Sequence, residues 1–277
     1  MIRSILFPVD FSPATVAIAG YVRRAAVVLG ASVTLVHVFD LASNNGYEIY
    51  ARSPSDVAAE HRLIAQEKLD SFSQAEFPGT ECSRILLSGD AAVQITWQAK
   101  AGGFDLIIMP THAGRFRRML LGSTTAKVLN DSDCPVLTTQ HAETIVPRPL
   151  EHREWLCAIG LDGNAEKMLR FAAQAATAAR ARLSLIHAIQ AGRSDLDATA
   201  TQEAREHIEK IQKKAGCDAP LHIAVGPNIK QALVEAVGRS DADVVIIGRG
   251  PRDGVYGRMR DLTYQLARDS RFPVLSF

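Results

Sequence analysis

The sequence predicts an α/β fold made of two tandem open parallel five-stranded sheets with helices on both faces. Short apolar segments alternate with amphipathic ones, which is the pattern of strands and helices in a layered α/β domain. The fourth apolar segment, DLIIM at 105–109, has the continuous apolar character of a parallel strand that is covered on both faces. In addition, four segments of the first half recur in the second half in the same order.

The recurring segments indicate a tandem duplication. They are SILFPVDFS (4–12) with LCAIGLDGN (156–164), ASVTLVHVF (31–39) with ARLSLIHAI (181–189), FDLIIMP (104–110) with ADVVIIG (242–248), and SDCPVLTT (132–139) with SRFPVLSF (270–277). This alignment pairs Asp10 with Asp162 and His37 with His187. It predicts two domains, 1–142 and 153–277, joined by the proline-containing and charged segment 141–154.

Each half contributes five strands and four helices to this prediction. In the first half we expect strands near 3–9, 32–39, 83–87, 105–109 and 135–139, and helices near 12–29, 55–76, 90–101 and 123–131. In the second half we expect strands near 154–161, 183–189, 221–225, 243–247 and 273–276, with helices between them. The polar segment 40–55 follows the second strand. Two interpretations of this segment are open, a lid and a tolerated insertion.

Composition excludes several classes of protein. The 31 basic residues balance 30 acidic ones, so no overall positive field favours nucleic acid or an anionic membrane. The four cysteines form no CxxC pair, and the eight histidines show no metal-binding spacing. No apolar run approaches the ~18 residues that span a bilayer, and the N-terminus lacks the pattern of a signal peptide. We therefore expect a cytoplasmic protein with no metal site.

The loop after the fourth strand contains the strongest local signal for binding. Gly122-Ser123-Thr124-Thr125 opens a helix, where free backbone N–H groups and hydroxyls favour an anion such as phosphate. His112 and three arginines, Arg115, Arg117 and Arg118, precede it. The alternative is an ordinary Ser or Thr N-cap beside a solvated basic loop.

These motifs resemble the universal stress protein family. The resemblance rests on FPVDFS, on LVHVF and on the order strand, loop, GST, helix and CPVL, and it covers nearly the whole chain twice. It implies a sheet order of 3-2-1-4-5 and a nucleotide site at the carboxyl ends of strands one and four. Family members that bind ATP carry G-x2-G-x9-G-(S/T). This chain keeps the end of that motif but has Pro110 at its first glycine, and its loop is one residue shorter, with Ala113-Gly114 at the second.

The resemblance implies that the first half binds ATP, with or without Mg²⁺. Asp10 would accept hydrogen bonds from a ribose hydroxyl, although it could instead cap the following helix. The apolar residues of the set would line the adenine pocket, and without the resemblance they would simply be core. The complete set of expected binding residues is Pro8, Val9, Asp10, Val38, Met109, His112, Gly114, Arg115, Gly122, Ser123, Thr124 and Thr125. His37 and His187 are expected to be hydrogen-bonded structural residues.

The expected function is a nucleotide-binding stress-response regulator rather than a catalyst, because no nucleophile, carboxylate pair or metal cluster is evident. Two alternatives remain: a nucleotide-free interaction module that pairs through its edge strands, and a slow ATP-hydrolysing enzyme. In the second half, Arg260 and Asp261 align with Gly122 and Ser123. This predicts weak nucleotide binding there. The halves are expected to pair as an intrachain pseudo-dimer, and association of two chains is left open.

Overall fold

The computed structural model describes residues 2–40, 54–77, 82–111, 121–139, 153–191, 194–249, 261–270 and 272–277. The chain forms two compact units. One is built on Ile2–Val136, and the other on Pro147–Phe277 together with Leu137–Gln140. Within the described ranges, no helix has both the length and the apolar character needed to cross a bilayer.

The first half contains nine elements in strand–helix alternation. They are β1 (Ser4–Pro8), α1 (Pro13–Leu29), β2 (Ser32–Phe39), α2 (Pro54–Ser71), β3 (Cys82–Ser88), α3 (Ala91–Ala101), β4 (Leu106–Pro110), α4 (Ser123–Asp131) and β5 (Val136–Thr139). Strand β1 pairs in parallel with β2 and β4, and β2 pairs in parallel with β3. The strand order is β3-β2-β1-β4-β5, as the resemblance implied.

The second half repeats this arrangement. Its elements are β6 (Glu154–Ala158), α5 (Ala165–Ala178), β7 (Arg182–Gln190), α6 (Ser194–Ala215), β8 (Leu221–Gly226), α7 (Ile229–Arg239), β9 (Val244–Ile247), α8 (Asp261–Asp269) and β10 (Val274–Ser276). The strand order is β8-β7-β6-β9-β10, and the neighbouring strands are parallel. The predicted α/β class and the tandem parallel architecture are therefore confirmed.

Helix α2 ends earlier than the sequence predicted. The periodic pattern indicated a helix to residue 76, but the chain turns after Ser71, and Ser73 adopts a left-handed φ of 45°. The turn brings two aromatic rings into the core of the first half. Phe72 and Phe77 lie with ring centroids 6.3 and 6.1 Å from that of Phe7. Burial of these rings therefore prevails over continuation of the helix.

The paired strands correct one part of the repeat alignment. The backbone oxygens of Val9 and Ile159 lie 2.7 and 2.8 Å from Nδ1 of His37 and His187, respectively, so these residues are equivalent. The next residues along the chain are Asp10 in the first half and Gly160 in the second. By strand register Asp10 therefore corresponds to Gly160, and Asp162 lies two residues further along the chain. Asp162 nevertheless accepts from the backbone N–H of the N-cap Asn164 at 2.9 Å, as Asp10 does from that of the N-cap Ser12 at 3.0 Å, so the predicted match holds at the helix start but not in the strand.

The alignment of the later segments is supported by equivalent hydrogen bonds. Asp105 Oδ2 accepts from the backbone N–H of Ser4 at 3.1 Å, and Asp243 Oδ2 accepts from that of Glu154 at 3.2 Å. Helices α4 and α8 begin at Ser123 and Asp261. The predicted equivalence of these two helix starts is thus consistent with the structure.

Candidate functional site

The predicted site lies where β1 and β4 end side by side. From these neighbouring strands the chain passes to opposite sides of the sheet, which leaves a crevice at their carboxyl ends. Pro8, Val9 and Met109 are buried at this edge, and Val38 is half-buried near the end of β2. The backbone N–H of Val9 donates to Val36 at 2.8 Å, and its carbonyl contacts His37. Val9 can therefore contact a ligand through its apolar side chain, whereas its backbone N–H and carbonyl are already hydrogen-bonded within the fold.

Asp10 organises the turn between β1 and α1. Its Oδ1 accepts from the backbone N–H of Ser12 at 3.0 Å and from Oγ1 of Thr15 at 2.5 Å. Ser12 itself is the N-cap of α1 and accepts from the backbone N–H of Thr15. Asp10 is nevertheless exposed, and its Oδ2 has no hydrogen-bond partner within the described parts of the chain. The carboxylate can support the helix start and still accept a hydrogen bond from a ligand.

The rings of Phe11 and His37 pack against each other at a tilt beside this turn. Phe11 has a φ of 61°, a left-handed conformation that costs a non-glycine residue roughly 1–2 kcal/mol. Its ring centroid lies 4.4 Å from that of His37 and 5.8 Å from that of Phe72, and this packing offsets the strain. Burial lowers the pKa of His37 below its usual 6.5, while the Val9 carbonyl and the Asp10 charge oppose that shift. His37 is therefore a neutral, hydrogen-bonded ring at pH 7.

The first turn of α4 presents N–H groups without a side-chain cap. Gly122 is the N-cap and makes no side-chain hydrogen bond, whereas Ser12, Asp90 and Asn228 each cap their helices through their side chains. Ser123, which the alternative interpretation treated as an N-cap, is instead the first helical residue and is exposed. This helix start can accept an anionic group by its backbone.

Two hydrogen bonds attach the start of α4 to the end of β4. Thr125 is buried, and its hydroxyl donates to the Pro110 carbonyl at 3.0 Å. The backbone N–H of Gly122 donates to the Thr111 carbonyl at 2.8 Å. The Thr125 hydroxyl thus points into the fold, so that residue would contact a ligand through its backbone.

The remaining predicted residues cannot be assigned positions. His112, Gly114 and Arg115 lie outside the described residues, as do Arg117 and Arg118. Among the residues that the structure describes, no group of three or more His, Cys, Asp or Glu side chains could hold a metal ion.

Sequence reasoning missed two residues of the turn. Thr15 holds the Asp10 carboxylate, and Phe11 covers His37. The run Ser12-Pro13 carried the ordinary signal for a helix start, and Thr15 stands at the third helical position, where a hydroxyl can reach back to the cap. No sequence signal distinguished Phe11 as left-handed.

The corresponding edge of the second half has different chemistry. Gly160 replaces Asp10, and a Cβ at this position would lie 3.3 Å from Oδ2 of Asp162. Oδ1 of Asp162 accepts from the backbone N–H of Asn164 at 2.9 Å. Following β9, the buried Arg249 stands where the first half has Thr111. Arg260 and the side chain of Asp261 lie outside the described part of the structure.

Comparison with known proteins establishes the family. A sequence model of the universal stress protein family matches residues 1–140 and again 153–276. The chain therefore belongs to the universal stress protein family, a family of stress-response proteins, as a tandem-domain member. A universal stress protein of Methanocaldococcus jannaschii is 26% identical over 155 residues, which is 50% of this chain and 96% of that protein.

Solved structures agree with this fold. A universal stress protein from Archaeoglobus fulgidus superimposes with a TM-score of 0.71 at 20% identity, covering 99% of this chain and 97% of that one. A protein of unknown function from Pseudomonas aeruginosa gives a TM-score of 0.67 at 21% identity, covering 100% and 92%. At these identities the likeness concerns the fold alone.

Proposed function

We propose that the first half binds ATP or another adenine nucleotide at the carboxyl ends of β1 and β4, and that the protein is a cytoplasmic, ligand-responsive regulator. The observation that carries this proposal is the first turn of α4, whose N-cap Gly122 leaves the N–H groups uncapped at the same sheet edge as the exposed Asp10 carboxylate. A positive helix end and a hydrogen-bond acceptor suit phosphate and ribose, respectively.

Each part of the nucleotide has a proposed partner. The backbone N–H groups of residues 123–125 would donate to phosphate oxygens, because that of Gly122 already donates to the Thr111 carbonyl, and the Ser123 hydroxyl would be an additional donor. Oδ2 of Asp10 would accept from a ribose hydroxyl. Pro8, Val9, Val38 and Met109 would line the adenine pocket by backbone and apolar contact, and these apolar groups would exclude water.

The altered loop limits what the backbone can donate. Proline lacks an N–H group, so Pro110 cannot supply the donor that a glycine would supply at that position. We propose that His112, Gly114 and Arg115 complete the phosphate contacts, with or without Mg²⁺, because a guanidinium matches phosphate geometry. Regulation is preferred to hydrolysis because the carboxylate proposed for the site, that of Asp10, is used for the ribose hydroxyl and for the hydrogen bonds from Ser12 and Thr15, and not for a water that attacks phosphate.

We further propose that the second half binds nucleotide weakly or not at all. Gly160 provides no carboxylate at the strand position of Asp10, and the carboxylate of Asp162 lies two residues further along the chain. Arg249 places a long buried side chain where Thr111 stands in the first half. These replacements change both the acceptor and the available space of the corresponding crevice.

Nucleotide retained by the purified chain tests the proposal. We expect denaturation and chromatography to release an adenine nucleotide from the wild type and much less from Gly122→Asp, which puts a carboxylate at the phosphate position. Gly238→Asp makes the same change on α7, where a Cβ meets no atom within 4 Å, and should leave retention unchanged.

Two results would favour the alternatives. A wild-type chain that neither retains nor takes up any adenine nucleotide would indicate an interaction module. Phosphate release that requires Mg²⁺ and is lost in Gly122→Asp would indicate a hydrolase instead.

A further inference from the structure

Helix α3 exposes two large apolar side chains on one face. Val93 and Trp97 are each 59% exposed, and residues four apart in a helix lie next to each other. The buried side of the helix consists of Ala92, Ile95 and Ala99, so the exposed pair takes no part in that packing. Grouped apolar side chains on a surface are typical of a protein–protein contact.

The duplication provides a comparison for this surface. Helix α7 is the equivalent of α3, with the same length and with Asn228 at the capping position of Asp90. At the positions of Val93 and Trp97 it carries Gln231 and Glu235, which are joined by a hydrogen bond of 2.8 Å. The same helix is therefore compatible with polar residues at both positions, and the apolar pair is not required by the fold.

Charges complete the surface at both ends. At 100° per residue, Asp90, Val93, Trp97 and Lys100 fall within about 80° of arc and extend over about 15 Å. We call these four residues the α3 stripe. At its first end Lys127 pairs with Asp90 at 3.1 Å, and at its other end Asp133 pairs with Lys100 at 3.8 Å. The order along the stripe is acidic, apolar, apolar and basic.

We propose that the α3 stripe is the interface of a homodimer in which two copies of α3 pack antiparallel. A two-fold axis that runs between the two helices, at right angles to both and level with the midpoint between Val93 and Trp97, brings Trp97 against Val93 of the partner subunit. The same axis places Asp90 opposite Lys100 of the partner subunit. The flanking charges match as well, because Lys127 then faces Asp133 of the partner subunit.

A second copy satisfies this pattern by symmetry. Every charge at one end of the stripe meets its opposite from the other end, so the surface is self-complementary when antiparallel and repulsive when parallel. The proposed interface does not depend on nucleotide binding. It uses a surface that the second half, with Gln231 and Glu235, does not present.

Sedimentation equilibrium of the full chain over a range of concentrations tests the apolar centre. We expect the wild type to pass from one chain to two, and Trp97→Glu to dimerise at least about 30-fold more weakly, the effect of losing a buried aromatic anchor. Val27→Glu, at a side chain that is 66% exposed on α1, should dimerise as the wild type does. A wild type that stays a single chain throughout, or a Trp97→Glu variant that dimerises normally, overturns the proposal.

Charge reversal tests the orientation. Lys100→Glu should weaken dimerisation roughly tenfold, because it sets two acidic groups against each other. Adding Asp90→Asn removes that repulsion and should restore part of the affinity, since Asn228 shows that asparagine can cap the equivalent helix. No effect of Lys100→Glu would contradict the antiparallel arrangement.

Acrylamide quenching provides a second readout. Trp97 should become shielded from the quencher as the concentration rises, while Trp155, only 2% exposed, contributes little change. Quenching that does not change between dilute and concentrated protein would argue against burial of Trp97.

Discussion

The turn at Asp10 can be tested by removing its carboxylate. Asp10→Ala deletes the acceptor of two hydrogen bonds, from the backbone N–H of Ser12 and from the Thr15 hydroxyl. The bond from Ser12 is exposed and that from Thr15 is half-buried, and at about 0.5–1 kcal/mol each the start of α1 should lose about 1–2 kcal/mol of local stability. This corresponds to roughly 5- to 30-fold faster amide exchange.

Hydrogen–deuterium exchange measures this loss separately in each half. Peptides from α1 should exchange faster in Asp10→Ala, while peptides from α5 should not change. Asp10→Asn keeps an oxygen acceptor and should show a smaller effect. Unchanged exchange in α1 of the alanine variant would refute the role of the carboxylate in the turn.

The same series separates the turn from ligand binding. Thr15→Val removes one of the hydrogen bonds to Asp10 but leaves its carboxylate in place. If Asp10 contacts ribose, both substitutions of Asp10 should weaken nucleotide binding more than Thr15→Val does. Equal losses of nucleotide affinity in all three variants would mean that Asp10 affects binding only by holding the turn in place.

Three further predictions concern stability. The pKa of His37 is lower in the folded state than in the unfolded state, so the first half should lose stability as the pH falls through 6.5. In thermal melts, His37→Gln should remove this pH dependence. His187→Gln, which loses the equivalent hydrogen bond in the second half, should retain it. Arg84 donates to the Leu69 and Phe77 carbonyls, each at 3.0 Å. In urea titrations, Arg84→Met should therefore lower the free energy of unfolding by about 1–3 kcal/mol. An unchanged free energy of unfolding would contradict the stabilising role of these hydrogen bonds. A Cβ on Gly226 would approach that of Ala232 to 2.9 Å, so Gly226→Ala should lower the melting temperature, whereas Gly163→Ala, in open space, should not.

The fold was predictable because its signals are local and repeated. Apolar strands, amphipathic helices and the Ser12-Pro13 helix start each depend on neighbouring residues. The duplication then repeated the strand and helix patterns in the second half. The end of α2 was not predictable in this way, because the contacts of Phe72 and Phe77 with Phe7 connect residues far apart in the sequence.

The sequence predicted where the candidate site lies, but not all of the hydrogen bonds that its residues make. Motifs placed Asp10 and residues 122–125 at one edge of the sheet, where the topology brings strand ends together. They did not reveal that the Thr125 hydroxyl donates to the Pro110 carbonyl, or that the strand register places Gly160 at the position of Asp10. Both facts depend on strand register and hydrogen-bond geometry, which composition and spacing do not encode.

Calorimetric titration of ATP into the intact, nucleotide-stripped chain measures both the affinity and the number of nucleotide sites. We expect one equivalent bound per chain, and loss of that binding in Gly122→Asp with the fold preserved. Two equivalents of similar affinity would contradict the difference between the halves. The absence of binding to the wild type, or unchanged affinity in folded Gly122→Asp, would contradict the proposed nucleotide site itself.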